Sequence, residues 1–147
     1  MKKASVIIPT LNEEKYLPRT LKHLNHQTIP RNEYEIIVND NHSTDKTLEC
    51  CGSVDSVIRN EERVFISELR NQGATQASSD RLIFLDADIT VPANFLEQVI
   101  NTEFEFALPR KIQIGNGSHK LINWLNKSFQ KITKGVNITP GCCMMLG

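Results

Sequence analysis

The chain has 147 residues, with 17 Lys+Arg against 17 Asp+Glu and a formal net charge of zero. That length supports one domain, 1–147, with a real core, and the charge balance offers nothing to steer nucleic acid onto it. No apolar run approaches the roughly 18 residues of a membrane span. The start, Met1-Lys2-Lys3-Ala4-Ser5, leads into an apolar stretch too short for a signal-peptide core, so a cytoplasmic protein is expected. The four cysteines form the pairs Cys50-Cys51 and Cys142-Cys143. Neither pair has C-x-x-C spacing, and both are read as small buried hydrophobes in a reducing compartment. Asn-x-Ser/Thr at Asn41, Asn116, Asn126 and Asn137 is read as chance matching.

Strand-like and helix-like segments alternate, which predicts an α/β fold with a mostly parallel central sheet flanked by helices. Ser5-Val6-Ile7-Ile8 is a first strand, followed by a loop over 9–14. Pro18 suits the first turn of a helix running to about Gln27, with Leu17, Leu21 and Leu24 at core spacing. A second strand covers 34–39. Ser43-Thr44-Asp45 offers N-cap oxygens for a short helix through Cys50. A third strand covers 54–58. Small residues over 73–79 read as a helix, and 81–85 as a strand. Pro92 opens a helix carrying Phe95, Leu96, Val99 and Ile100. Then 104–108 alternates like a strand, and Gly115-Asn116-Gly117 signals a turn. An amphipathic helix is expected over 119–131, flanked by Lys120, Lys127, Lys131 and Lys134. It reads as a docked helix or as a peripheral membrane contact. The stretch 142–147 looks like part of a strand, whose exposed edge would allow a homodimer.

Four polar clusters follow these segments. They are Pro9-Thr10-Leu11-Asn12-Glu13, Asn39 through Asp45, Arg70-Asn71-Gln72-Gly73, and Asp86-Ala87-Asp88. The last ends the apolar run Leu82-Ile83-Phe84-Leu85. Open α/β sheets bind ligands beyond the carboxyl ends of their strands, and Mg²⁺ or Mn²⁺ there is usually shared between carboxylates and substrate phosphates. Each cluster has a plainer role as well. Asp40 can form an Asx-turn, Glu13 can pair with a helix N-terminus, Arg70 can be a solvated surface residue, and Asn71 with Gly73 can shape a turn before a helix. On a straight strand the carboxylates of Asp86 and Asp88 point the same way, with Cα atoms roughly 6.5 Å apart. One cation takes both only if the chain bends there.

In this order the clusters resemble the family 2 glycosyltransferases of GT-A fold. The matching segments are Ser5 to Glu14, Ile37 to Thr47, Arg70-Asn71-Gln72-Gly73 with Ala77 and Asp80, the D-x-D motif Asp86-Ala87-Asp88, and Pro140-Gly141-Cys142-Cys143. The resemblance implies a nucleotide-sugar donor, UDP- or GDP-sugar, and Mn²⁺ or Mg²⁺. It places Pro9, Thr10, Glu13, Asp40, Arg70 and Asn71 around the nucleotide. It makes Asp88 the main metal ligand, and it puts Asp86 at the ribose or sugar and as a second metal ligand. The acceptor, a glycan, lipid or protein, stays open. The family's general base lies in an acceptor segment that this sequence does not carry, so donor binding with little or no transfer by this chain alone is expected. The alternatives are a non-catalytic nucleotide-sugar-binding or regulatory remnant, and a nucleotidyltransferase-like domain. The latter usually has a Gly-rich loop where Pro9-Thr10-Leu11-Asn12-Glu13 stands.

Overall fold

Every residue of Ala4–Thr10 is buried, as only a strand covered on both faces can be. In the computed structural model, which describes residues 1–102, 106–107 and 144–146, this segment is β1. It is followed by α1 (Leu17–Asn25), β2 (Tyr34–Asp40), β3 (Ser56–Arg59), α2 (Ile66–Gln76), β4 (Leu82–Phe84), α3 (Phe95–Ile100), β5 (Phe106–Ala107) and β6 (Met144–Leu146). Short 3₁₀ turns cover Arg31–Glu33 and Thr47–Cys51. The sheet order is β3-β2-β1-β4-β6-β5. The first four strands are mutually parallel, and β6 runs antiparallel to both β4 and β5. The expected α/β architecture is therefore present. Among the described residues no helix is long and apolar enough to cross a membrane.

The strand order reverses at β1, which lies between β2 and β4, and ligand crevices form at such a point. Pro9 opens it. Ser5 N–H donates to Arg81 O and Leu85 N–H to Ile7 O, so the odd residues of β1 turn their backbone toward β4. Pro9 is the next odd residue and has no N–H. The β1–β4 ladder ends at Ile7↔Phe84, while the β1–β2 ladder continues to Thr10↔Asp40. The two strands part where the proline removes a donor.

Side-chain alternation divides the core. Val6, Ile8, Ile36, Val38, Ile83 and Leu85 pack with the leucines of α1 and with Phe95, Leu96 and Val99 of α3. Ile7, Ile37 and Phe84 face the other way, with Ala74 and Ala77 against them. There α2 lies close to the sheet. A Cβ at Gly73 would run into Ile7 Cγ2. Glycine is required here by approach, not by backbone conformation.

The helix expected over 73–79 begins instead at Ile66 and ends at Gln76. Only Leu69 and Gly73 of it are buried, so it shows no apolar periodicity. Arg70-Asn71-Gln72-Gly73 is thus helical and not a turn. The other predicted strands and helices appear with ends shifted by one to three residues, the helix opened by Pro92 starting at Phe95 and the short one after Asp45 forming a 3₁₀ turn. Strands occur within 104–108 and 142–147 as expected. The turn at 115–117, the helix over 119–131 with its membrane reading, and Cys142-Cys143 lie outside the described residues. Cys50 and Cys51 carry free thiols, the second buried. Burial pushes the Cys51 thiol up to about 11, with the neighbouring Cys50 and Asp40 adding to it.

At the amino end of the sheet, Asp55 joins three groups. It accepts from Arg31 Nη2 at 2.5 Å and from Ile36 N–H at 2.8 Å, and it lies 3.5 Å from Lys2 Nζ. Burial pushes its carboxyl up, but the bonds from Arg31 and Ile36 and the charges of Arg31 and Lys2 outweigh this and hold it below the usual range.

Two outcomes follow. Gly73→Ala is expected to destabilise by about 1–3 kcal/mol through overpacking, and Ile7→Ala by about 2–5 kcal/mol through the cavity it leaves. The double variant should lose less than the sum, because the second change removes the clash created by the first. Urea denaturation of the four proteins checks this, and simple additivity would contradict the contact. For Asp55, the folded carboxyl is charged at pH values where the unfolded one is already protonated. Its contribution is full above about pH 4, the unfolded value, and is lost as pH falls through the lower folded value. Thermal unfolding of Asp55→Asn should therefore depend less steeply on pH below about 4 than the wild type does.

Candidate donor site where three loops meet

The loops after β1 and β2 are tied together through hydroxyl groups. Asp40 Oδ1 accepts from Ser43 Oγ at 2.5 Å, and Ser43 Oγ in turn accepts from Asn12 N–H at 2.9 Å. Asp45 Oδ1 accepts from Thr47 Oγ1 at 2.5 Å, and Thr47 Oγ1 accepts from Glu13 N–H at 2.7 Å. The two relays have the same sense: backbone N–H, hydroxyl, carboxylate. Such chains polarise along their length. Asp45 Oδ2 also accepts from Glu14 N–H, Glu14 Oε2 from Lys46 N–H, and Asn12 Oδ1 from Thr44 N–H. Burial acts against the Asp45 charge, but the bonds from Thr47 and Glu14 outweigh it and keep the carboxyl below its ordinary range.

Ser43-Thr44-Asp45 thus does more than cap a helix. The 3₁₀ turn that follows has no side-chain cap at its start, although Asp45 Oδ1 accepts from Thr47 N–H. In the preceding loop, Ser43 Oγ accepts from Asn12 N–H, Asp45 Oδ2 accepts from Glu14 N–H, and Thr44 N–H donates to Asn12 Oδ1. Asn12 (φ 56°) and His42 (φ 62°) both sit in the left-handed region, and both belong to this interlock. Asp40 forms the turn that its residue type allows. Its oxygens take Ser43 N–H, Ser43 Oγ and, at 3.2 Å, Thr10 Oγ1, and the residue is buried.

On the other side of β1, Leu85, Ala87, Ile89 and Val91 enter the core, while Asp86 is half-buried and Asp88 exposed. The chain turns at Ala87–Asp88, and Ile89 N–H donates to Asp86 O at 3.3 Å. The bend that a shared cation requires is present. Thr20 Oγ1 on α1 donates to Ala87 O at 2.6 Å and pins the turn. Arg70 on α2 reaches it from the opposite face, with Nη2 3.5 Å from Asp86 Oδ1.

Glu13 shares this space. Burial first, then the charges of Asp88, Asp45 and Asp86, push its carboxyl above the usual range. Of the predicted site residues, Glu13, Asp86 and Asp88 lie close enough to repel one another and Arg70 pairs with Asp86, while Pro9 and Thr10 are buried at the end of β1. Asp40 stands behind the loop, one strand over. Asn71 is exposed on α2, and among the described residues no hydrogen bond ties its side chain to the acidic group. Sequence reasoning passed over Thr20 and Thr47, both buried. Their bonds to Ala87 O and Glu13 N–H join residues distant in the chain, which no local pattern shows.

A model of the family described as "Glycosyl transferase family 2" matches residues 5–104. The chain belongs to glycosyltransferase family 2. Among relatives, it is 28% identical over 146 residues to the dolichyl N-acetyl-alpha-D-glucosaminyl phosphate 3-beta-D-2,3-diacetamido-2,3-dideoxy-beta-D-glucuronosyltransferase of Methanococcus voltae, covering 93% of this chain and 46% of that protein. It is 35% identical over 104 residues to glycosyltransferase AglE of Haloferax volcanii, covering 67% of this chain and 34% of that one. The family 2 chain thus spans less than half the length of these curated relatives. Its fold matches the crystal structure of S. aureus TarS 1-349 in complex with UDP-GlcNAc, with a TM-score of 0.69, 29% identity, and 82% of this chain and 37% of that one covered. It also matches mannosyltransferase PcManGT from Pyrobaculum calidifontis in complex with GDP-Man and Mn²⁺, with a TM-score of 0.60, 25% identity, and 67% and 30% covered. The architecture of this family 2 domain is the GT-A fold.

The residues present fit a cation shared with a diphosphate. Among the described residues no three His, Cys, Asp or Glu side chains are grouped so as to hold a metal by themselves. Mg²⁺-type sites usually take one or two carboxylates and complete their shell with water and phosphate. The Glu13 carboxyl is raised first by burial and then by the charges of Asp88, Asp45 and Asp86, and a cation would offset the second cause. Arg70 Nε is buried without a hydrogen-bond partner, so its guanidinium is not fully satisfied by Asp86.

Thr47→Val keeps the side-chain volume but removes the acceptor for Glu13 N–H and the donor to Asp45. We expect a loss of about 1–3 kcal/mol, the cost of leaving a buried donor unsatisfied. Chemical denaturation checks this, and an unchanged midpoint would show that the relay does not hold the loop.

Proposed function

We propose that this domain binds the nucleoside diphosphate of a UDP- or GDP-sugar and presents the sugar for inverting transfer. The observation that carries this is the convergence of Glu13, Asp86, Asp88 and Arg70 where β1 and β4 part. The named complexes of related structures with UDP-GlcNAc and with GDP-Man and Mn²⁺ support it.

Each residue has a role suited to its surroundings. Asp88, exposed at the turn, is the main metal ligand, and Asp86 contributes to the metal or accepts from a sugar or ribose hydroxyl. Bound Mn²⁺ or Mg²⁺ supplies neutralisation of the charge that grows on the departing diphosphate. Arg70 holds Asp86 in place and offers unused donors to phosphate oxygen. Glu13 extends the negative field that attracts the cation. Pro9 and Thr10 give the nucleoside a floor, and Asp40 fixes the loop beside it. Asn71 has the weakest part, as a rim contact. The acceptor is a glycan, lipid or protein, and none of these residues is assigned as its activating base. A cytoplasmic location, contact with a membrane face and self-association belong to the same reading and carry none of its chemistry.

Calorimetry with UDP and GDP, with and without Mn²⁺, tests the proposal. We expect one nucleotide to bind with Mn²⁺ and to bind at least about tenfold more weakly without it, a difference of about 1.4 kcal/mol. Asp88→Ala should remove the metal dependence. Binding of neither nucleotide, or binding indifferent to both Mn²⁺ and Asp88→Ala, would contradict a metal–diphosphate site.

A further inference from the structure

Beyond Leu85 the chain that carries Asp86-Ala87-Asp88 leaves the sheet and is held by α1 instead. Thr20 Oγ1 donates to Ala87 O at 2.6 Å, His23 Nδ1 lies 3.0 Å from Val91 O, and Gln27 Nε2 donates to Pro92 O at 3.0 Å. Gln27 Oε1 accepts in turn from Leu96 N–H at 2.9 Å. A carbonyl oxygen can only accept, so the His23 bond places the imidazole proton on Nδ1. Thr20 and His23 on α1, and Gln27 just past its end, are spaced three and four residues apart, which is one stripe of a helix. The backbone over 87–96 thus hangs from a polar ladder along one flank of α1, beside the stripe of Leu17, Leu21 and Leu24 that enters the core.

The same helix begins on Glu13. Glu13 O accepts from Leu17 N–H at 2.9 Å and from Tyr16 N–H at 3.1 Å. The start of α1 has no side-chain cap, so these bonds serve amides that a helix leaves open there. The helix therefore grips both acidic sides of the crevice. It holds the backbone of Glu13 at its first turn and the backbone of Ala87 about one turn later.

The two acids of the turn depend on this grip to different degrees. Asp86 has Arg70 Nη2 at 3.5 Å. Among the described residues no hydrogen bond or ion pair holds the exposed Asp88 carboxylate. Its position is set by the backbone on either side. Ala87 gives its carbonyl to Thr20, and buried Ile89 donates its N–H to Asp86 O. Thr20 and Ala87 are both buried, so loss of the hydroxyl leaves that carbonyl without its donor.

We propose that Thr20 is a positioning residue for metal binding: α1 is a fixed spacer between Glu13 and the Asp88 turn, and the Thr20–Ala87 bond sets the spacing. This rests on the metal–diphosphate site proposed above and adds the residue that orders it. Thr20 touches neither cation nor nucleotide and acts through the Ala87 carbonyl. A ligand with no hydrogen bond of its own gains most from a held backbone, because otherwise the turn must be ordered when the cation arrives.

The test measures the Mn²⁺ affinity of the full chain from the EPR signal of free Mn²⁺, with UDP or GDP, whichever binds, at saturation. The affinity for that nucleotide without metal is measured separately. Thr20→Val keeps the shape and removes the donor. It should weaken Mn²⁺ by about tenfold, the usual cost of losing a group that orients a metal ligand, and leave metal-free nucleotide binding unchanged. Thr20→Ser keeps the hydroxyl and should bind Mn²⁺ as the wild type does. Tyr34→Phe removes a different buried bond of α1, from Tyr34 Oη to Leu24 O at 2.5 Å. It should lower the unfolding temperature and leave Mn²⁺ binding unchanged. Wild-type Mn²⁺ affinity in Thr20→Val, no rescue by Thr20→Ser, or an equal loss in Tyr34→Phe overturns the positioning role and leaves the donor site standing. Should Thr20→Val not fold, His23→Leu decides in its place: weaker Mn²⁺ binding supports the ladder, and unchanged binding overturns it. A wild type that takes up Mn²⁺ no better with nucleotide than without overturns both readings.

Discussion

Asp40 and Asp45 hold the loops after β1 and β2 together, and the rest of the site depends on that hold. Each carboxylate works through a hydroxyl, Ser43 or Thr47, onto a backbone N–H of the neighbouring loop. A loop over a sheet edge carries N–H groups that the sheet cannot satisfy. Here the second loop supplies acceptors for Asn12, Glu13 and Glu14 in succession. The result is a fixed backbone that presents the Glu13 carboxylate into the crevice.

The crevice has a second cause in Pro9. A parallel sheet closes wherever its ladder continues. The proline stops the β1–β4 ladder and leaves the β1–β2 ladder intact. Three loops then surround the gap, and each carries acid: Glu13 and Asp45 on one side of it, Asp86 and Asp88 on the other. Like charges held together are unfavourable unless a cation joins them. Arg70 balances part of this, through Asp86. The fold has thus concentrated negative charge next to a partly unsatisfied guanidinium, a combination that suits a metal–diphosphate pair better than either ion alone.

How much of this the sequence revealed depended on where each partner lies. The strands were legible because Val6-Ile7-Ile8, Ile36-Ile37-Val38 and Ile83-Phe84-Leu85 are apolar runs, buried on both faces. The D-x-D turn was legible because it ends one of them. The extent of α2 was not. It meets the sheet through Gly73 and Leu69, and glycine leaves no hydrophobic signal. Ser43, Thr44, Asp45 and Thr47 carry the residue types of a helix cap, and local reasoning has no way to see that their partners lie more than 30 residues earlier, in the first loop. Asp40 had both roles open in the sequence, and the structure shows the turn-forming one. The relatives' names add the family but leave the sugar and acceptor open, since this chain spans under half of each one reported above.

The central claim is that metal and diphosphate meet where the loops after β1 and β4 face each other. Paramagnetic broadening by Mn²⁺ in amide NMR spectra reads this directly, because the effect falls steeply with distance from the ion. In the presence of the nucleoside diphosphate that binds, the amides of Glu13 and of Asp86 to Ile89 should broaden first, and the amino end around Asp55 should stay sharp. Broadening centred elsewhere, or the same pattern with and without nucleotide, would contradict a shared metal–diphosphate site.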